Sequence, residues 1–125
     1  MTLSITLVCC ALVPLTMLLC GVWMLRRPPK DINHLLGYRT RRSMKNQQTW
    51  DFAHRMCGKV WTIGGAAMLI PSILVPVFAQ QGDPDRDAML LQIVTGVQIV
   101  LLLLSVVPVE RALRRHFDDD GNPKD

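Results

Sequence analysis

Three long runs without a charged residue dominate the chain. Residues 1–25, 60–79 and 88–109 contain no Asp, Glu, Lys or Arg. A soluble core is built from periodic apolar stripes; unbroken apolar runs of about 18 residues or more belong in a bilayer. As a helix rising about 1.5 Å per residue, each run reaches the roughly 30 Å of a hydrocarbon core. Only helices and closed barrels satisfy their backbone groups in lipid, and three runs of this length make no barrel. The pattern predicts an all-α integral membrane protein with three transmembrane helices.

The first run is expected to stay in the membrane. A secretory leader has a basic segment ahead of its apolar stretch. Here Arg26 and Arg27 follow the run and nothing basic precedes it. Leu18-Leu19-Cys20-Gly21 is close to a lipoprotein cleavage pattern, but Leu19 is bulky where a small residue is required.

Between the first two runs the pattern changes period. Arg26-Arg27-Pro28-Pro29 should end the first helix. Asp31 is positioned to cap a short turn over residues 32–36, with Gly37 at its exit. Thr40 or Ser43 then caps the next helix. Lys45, Gln48, Asp51, Arg55 and Lys59 form one face; Trp50, Ala53, Cys57, Val60 and Gly64 form another. This amphipathic helix runs without a breaker into the second apolar run. One long helix, or two joined by a bend near Gly58, is expected. Pro71 and Pro76 should kink its far half. Gln81-Gly82-Asp83-Pro84 is a turn, Asp85 or Asp87 caps the third helix, and the last residues, 118–125, are expected to fray.

Charge sets an orientation. Residues 26–59 carry nine basic residues against two acidic ones, residues 80–87 one against three, and the tail opens with Arg111, Arg114 and Arg115. Basic residues near helix ends stay cytoplasmic. The connection 26–59 and the tail 110–125 are therefore expected inside, the short link 80–87 and the N-terminus outside. Trp23 and Trp61 flank the basic connection, as interfacial tryptophans do. Positive-inside topology and anionic lipid headgroups account for the net charge of +4 without nucleic acid.

Composition adds a few exclusions. Of Cys9, Cys10, Cys20 and Cys57, three lie in the first run as small hydrophobes, and no disulfide framework is expected. His54 and Cys57, with His34 upstream, match no strong zinc pattern, so an interfacial histidine and a buried thiol are expected in place of a metal site. No cofactor is implied. The spans carry no charge for a proton relay and no inverted repeat, which argues against a pump. Gln92, Thr95 and Gln98 share a face of the third helix beside Gly96 and should hydrogen-bond between helices, within the monomer or an oligomer. Gly64-Gly65-Ala66-Ala67 is likewise a packing surface. No nucleophile–base pair, phosphate-cradling loop or paired carboxylate is visible, so no catalysis is expected.

The most distinctive window is Asn33, Gly37-Tyr38-Arg39-Thr40, Arg42-Ser43-Met44-Lys45-Asn46, Trp50 and Ala53. One reading is a solvated, lipid-binding face. The other is a pocket at the membrane surface, with arginines on a phosphate or carboxylate and Trp50 supplying apolar contact. This window resembles the signature of the SdpI family of bacterial membrane proteins, over roughly residues 30–62. The family's namesake is an immunity protein against a secreted membrane-active toxin, and it also holds a repressor at the membrane. The resemblance implies toxin immunity or peptide signalling and places the functional positions at Asn33, Gly37, Tyr38, Arg39, Thr40, Arg42, Ser43, Asn46 and Trp50. A secreted peptide, membrane lipids, a second copy, or the other subunits of a larger membrane complex are the partners this leaves.

Overall fold

The structure, a computed structural model, describes residues 3–79 and 83–124. Four helices follow in order: α1 Leu3–Arg26, α2 Gln47–Ala79, α3 Pro84–Leu104 and α4 Val106–His116. α1, α2 and the continuous stretch Pro84–His116 are each long and apolar enough to cross a membrane. There is no strand among the described residues, only an isolated bridge between Phe117 and Pro123.

α1 and α2 form the tightest pair. α1 buries Thr6, Cys10, Pro14, Met17, Gly21 and Met24, three or four residues apart, a seam facing α2. α2 answers with small residues seven apart, the buried Gly58, Gly65 and Ser72. A Cβ on Gly65 would lie 2.6 Å from the Leu18 nitrogen, and one on Gly21 2.5 Å from the Thr62 nitrogen. In lipid, where apolar side chains gain nothing by leaving the hydrocarbon, such close backbone approach drives association. Gly58 is thus a packing position and not a bend; α2 is one helix of 33 residues. It also runs on through Pro71 and Pro76.

α3 leans on α1 and scarcely touches α2. Asp83 caps it, its carboxylate accepting from the Asp85 amide at 3.1 Å, with Pro84 in the first turn. The expected caps, Asp85 and Asp87, lie inside the helix. Residues 80–82, part of the expected turn, fall outside the described residues, as do 1, 2 and 125. The third helix breaks at Ser105, short of the expected end at Val109. Pro108 has no amide for the Leu104 carbonyl, and its ring crowds that turn. The Ser105 amide still donates to the Leu101 carbonyl at 2.9 Å and also reaches Leu102 at 3.2 Å. α4 then carries on past the expected boundary and packs against the first half of α2.

The tail does not fray. The Asp118 amide donates to the Asn122 carbonyl at 2.9 Å, Gly121 closes the turn at φ +86°, and the Lys124 amide returns to His116 at 2.9 Å.

Candidate functional site

Below the membrane-spanning bundle, four segments build a folded cap: the connection 27–46, the first three turns of α2, α4 and the tail. The connection holds no regular helix, so its backbone groups find partners one at a time. Asn33 does most of this for the first turn. Its carboxamide oxygen accepts from the Leu35 and Leu36 amides at 2.9 and 2.7 Å, and its nitrogen donates to the Asp31 carbonyl. Asn33, and not Asp31, is the capping residue. Arg39 adds a hydrogen bond to the His34 carbonyl. Gly37 then turns at φ +97°, as its exit position requires.

Two reciprocal side-chain boxes follow, each built like a capping box. Thr40 and Ser43 exchange amide-to-hydroxyl bonds at 2.8 and 3.2 Å around a single helical turn. Asn46 and Thr49 repeat the exchange at 3.1 and 2.9 Å. The second box starts α2, so the helix begins at Gln47, beyond both Thr40 and Ser43, the two expected caps. Two short polar side chains in a row offer the backbone an alternative to helix. The buried Ser43 hydroxyl also reaches the Tyr38 carbonyl at 3.0 Å, drawing the strand-like link onto the turn.

Three side chains lock this connection to the helices. Trp50 is fully buried and donates its indole N–H to the Pro29 carbonyl at 2.8 Å. His54, one turn on, packs its ring 4.3 Å from that of Trp50 at a tilt of 46° and is likewise fully buried. Its Nδ1 faces the Trp50 carbonyl at 2.8 Å and its Nε2 accepts the Tyr38 amide at 2.9 Å. The ring must therefore be neutral with its proton on Nδ1, and burial pushes its pKa below the ordinary 6.5. Tyr38 buries its ring and donates its hydroxyl to Glu110 of α4 at 2.7 Å. Burial first, and then Glu110, push its pKa far above the ordinary value.

An apolar core closes the cap. Met24, Tyr38, Ala53, Cys57, Val109, Leu113 and Phe117 pack together, with Phe52 edge-on to Phe117 at 5.4 Å. Trp61 donates its indole N–H to the Ser105 hydroxyl at 2.9 Å, tying α2 to the break between α3 and α4. The tail is clasped by Asn46, whose carboxamide nitrogen donates to the Gly121 carbonyl at 2.7 Å, and by the Arg42–Asp119 ion pair at 3.1 Å.

The window thus comes together, but mostly as internal joinery. Asn33, Gly37, Tyr38, Thr40, Ser43, Asn46 and Trp50 spend their special chemistry on the chain itself. The expected apolar contact of a ligand with Trp50 has no surface to use, because the ring is enclosed. Arg39, Arg41 and Lys45 remain exposed, Arg42 partly so. A polar hollow of about 440 Å³ lies among Arg41, Arg42, Lys45, Asp119 and Asp120. No group of three potential metal ligands exists among the described residues, and both nitrogens of His54 are already engaged.

In the membrane, Gln98 alone of its trio joins the helices. It is buried and donates to the Cys10 carbonyl of α1 and the Ser72 hydroxyl of α2, both at 2.7 Å. Gln92 is exposed, Thr95 half-buried, and Gly96 faces open space. The six residues from Gln92 to Gln98 make about 1.7 turns, which leaves the two side chains about 120° apart around the helix, so a shared face in sequence becomes different faces in the packed bundle.

His54, expected at the interface, is instead fully buried, and sequence reasoning missed Thr49, Glu110 and the clasp at Gly121. His54 carried a readable signal: it sits one turn from Trp50 and beside Ala53 and Cys57, on the buried stripe. Glu110 and Gly121 carried none, since their partners are more than 70 residues away.

The chain matches the SdpI/YfhL protein family over residues 30–109, which takes in most of the connection, all of α2 and α3 and the first residues of α4. The uncharacterized protein YfhL of Bacillus subtilis (strain 168) is 41% identical over 49 residues, 39% of this chain and 44% of YfhL. The chain thus aligns with less than half the length of that relative. No solved structure matches. With the match covering most of its length, the chain belongs to the SdpI/YfhL family of membrane proteins.

Proposed function

We propose that this is a non-catalytic membrane protein of toxin-immunity or peptide-signal type, resident in a bacterial cytoplasmic membrane with its cap inside and its N-terminus outside. Family membership carries the immunity reading. The non-catalytic part is supported by the cap's hydrogen-bonding: the side chains that would serve as base, acid or nucleophile, His54, Tyr38 and Ser43, are buried and bonded to the backbone or to α4. The orientation is supported by the basic residues concentrated in the cap. A secreted membrane-active peptide meets the bundle from outside or within the bilayer, and anionic headgroups lie against the basic cap.

Expression in a bacterium sensitive to such peptides tests the reading. Survival should rise for at least one peptide in a panel of membrane-active toxins; unchanged survival across the panel would count against immunity.

One observation favours a second reading, an accessory subunit of a larger membrane complex. Most of α3 is uncovered by its own chain, with Met89, Ile93, Val97, Val100 and Leu103 all exposed. Purification in a gentle detergent separates the two: stoichiometric companions favour the subunit, a lone chain or homo-oligomer the first reading.

A further inference from the structure

We propose that the turn bearing Leu35 and Leu36 is a membrane-inserting tip that seats the cap on the lipid surface beside α1. In the connection 27–46 the other large apolar side chains are buried or half-buried, yet Leu35 is 85% exposed and Leu36 60% exposed. This is no slack loop. Asn33 holds both leucine amides, Arg39 holds the His34 carbonyl, and Gly37 seats the exit against His54. A rigid turn that spends two polar side chains on presenting two adjacent leucines to the outside is built to bury them elsewhere.

Charge and position identify the occupant. Arg26, Arg27, Lys30 and Arg39 surround the turn in sequence, against Asp31 alone, and all four are exposed. None of them has an ion-pair partner among the described residues. Apolar residues flanked by basic ones are the composition of a segment lying at the boundary of anionic headgroups and acyl chains. The turn also starts within reach of that boundary. Gly37 rests on His54, six residues before the uncharged run at Val60, or about 9 Å along the helix. The headgroup layer is itself about 5–8 Å thick on each side. The turn therefore leaves the cap at the outer edge of the headgroups, within a side chain's reach of them, on a chain already threaded through the bilayer. This deepens the lipid contact proposed above and does not depend on immunity or on orientation in the cell.

The test uses the full chain in nanodiscs of mixed zwitterionic and anionic phospholipid, which offer both leaflets. The photoreactive residue benzoylphenylalanine replaces Leu35, Leu36 or, as a control, the exposed Gln48 at the start of α2. All three positions are on the surface, so folding is spared. After irradiation, mass spectrometry should find roughly tenfold more phospholipid adduct at 35 or 36 than at 48, as for a side chain among lipid and not water. Leu35→Asp should cut the yield at 36 severalfold. Equal yields at all three positions would overturn the proposal, and so would crosslinked dimers in place of lipid adducts. Failure here leaves the survival assay untouched, and the reverse holds as well.

Discussion

The Tyr38 hydroxyl donates to the Glu110 carboxylate at 2.7 Å, joining the connection to α4 across 72 residues of sequence. A hydrogen bond to a charged, partly buried group contributes about 1.5–3 kcal/mol. Tyr38→Phe keeps the buried ring and removes only this bond. The cap should lose about 1–2 kcal/mol, read as faster hydrogen exchange of the backbone over 38–46 and 106–116 in nanodiscs, with the spans unaffected. Unchanged exchange in both segments would show that the bond does not hold the cap together.

Gly37 and Gly96 should respond in opposite ways to the same substitution. Gly37 has φ +97°, and a Cβ there would lie 2.3 Å from His54 Nε2. Gly37→Ala should cost about 2–3 kcal/mol through strain and loss of the Tyr38–His54 bond. Gly96 faces open space within a helix, so Gly96→Ala should be neutral or stabilising by up to about 1 kcal/mol. Thermal denaturation of both variants in one detergent gives the comparison.

Acid should loosen the cap through His54. Its pKa is lowered in the fold by burial, an effect only partly opposed by the Trp50 carbonyl and Asp51. Above its ordinary value of 6.5 the ring is neutral folded or unfolded, and its contribution is complete. Below 6.5 the unfolded ring takes up a proton that the folded one refuses, so stability falls until the folded ring is protonated too. A protonated Nε2 can no longer accept the Tyr38 amide. That amide, corrected for its intrinsic rate, should lose protection from pH 7 towards pH 5, and His54→Gln should flatten the dependence.

The tail clasp should depend on Asn46 far more than on the ion pair. Asn46 caps α2 and holds the Gly121 carbonyl, so Asn46→Ala removes a cap worth about 1 kcal/mol and releases the tail. The Asp119 side chain is 92% exposed, and such pairs contribute little. Limited proteolysis at 118–124 should accelerate markedly in Asn46→Ala and barely in Asp119→Asn.

Within the bilayer, Gln98→Leu should weaken the bundle by about 1 kcal/mol, the usual worth of interhelical side-chain bonds. Gln92→Leu should leave monomer stability unchanged. Steric trapping or denaturation by a harsh detergent compares the two.

The spans were legible because a bilayer demands uncharged runs, and α2's extension into the cap followed from stripes at helical period. Gly37, Asn46 and Trp50 also stood out, but their tasks did not. A motif of polar residues looks the same in sequence whether it faces a ligand or its own backbone. The difference lies in long-range partners such as Glu110 and Gly121, which no local period reveals. The break at Ser105 was within reach, since Pro108 lies inside the third run.

α2 carries the fully buried Trp50 at one end and the close contact of Gly65 with Leu18 beyond its middle, on a backbone with no proline before Pro71. Cap and membrane therefore share a single stiff lever with no joint between them. A tilt of about 5° where α1 and α2 meet would displace the opposite end, some 25 Å away, by about 2 Å. Pro29, Gly37 and Glu110 all hang directly or through one neighbour from that end. A disturbance between the first two spans is thus delivered to the cap by geometry alone.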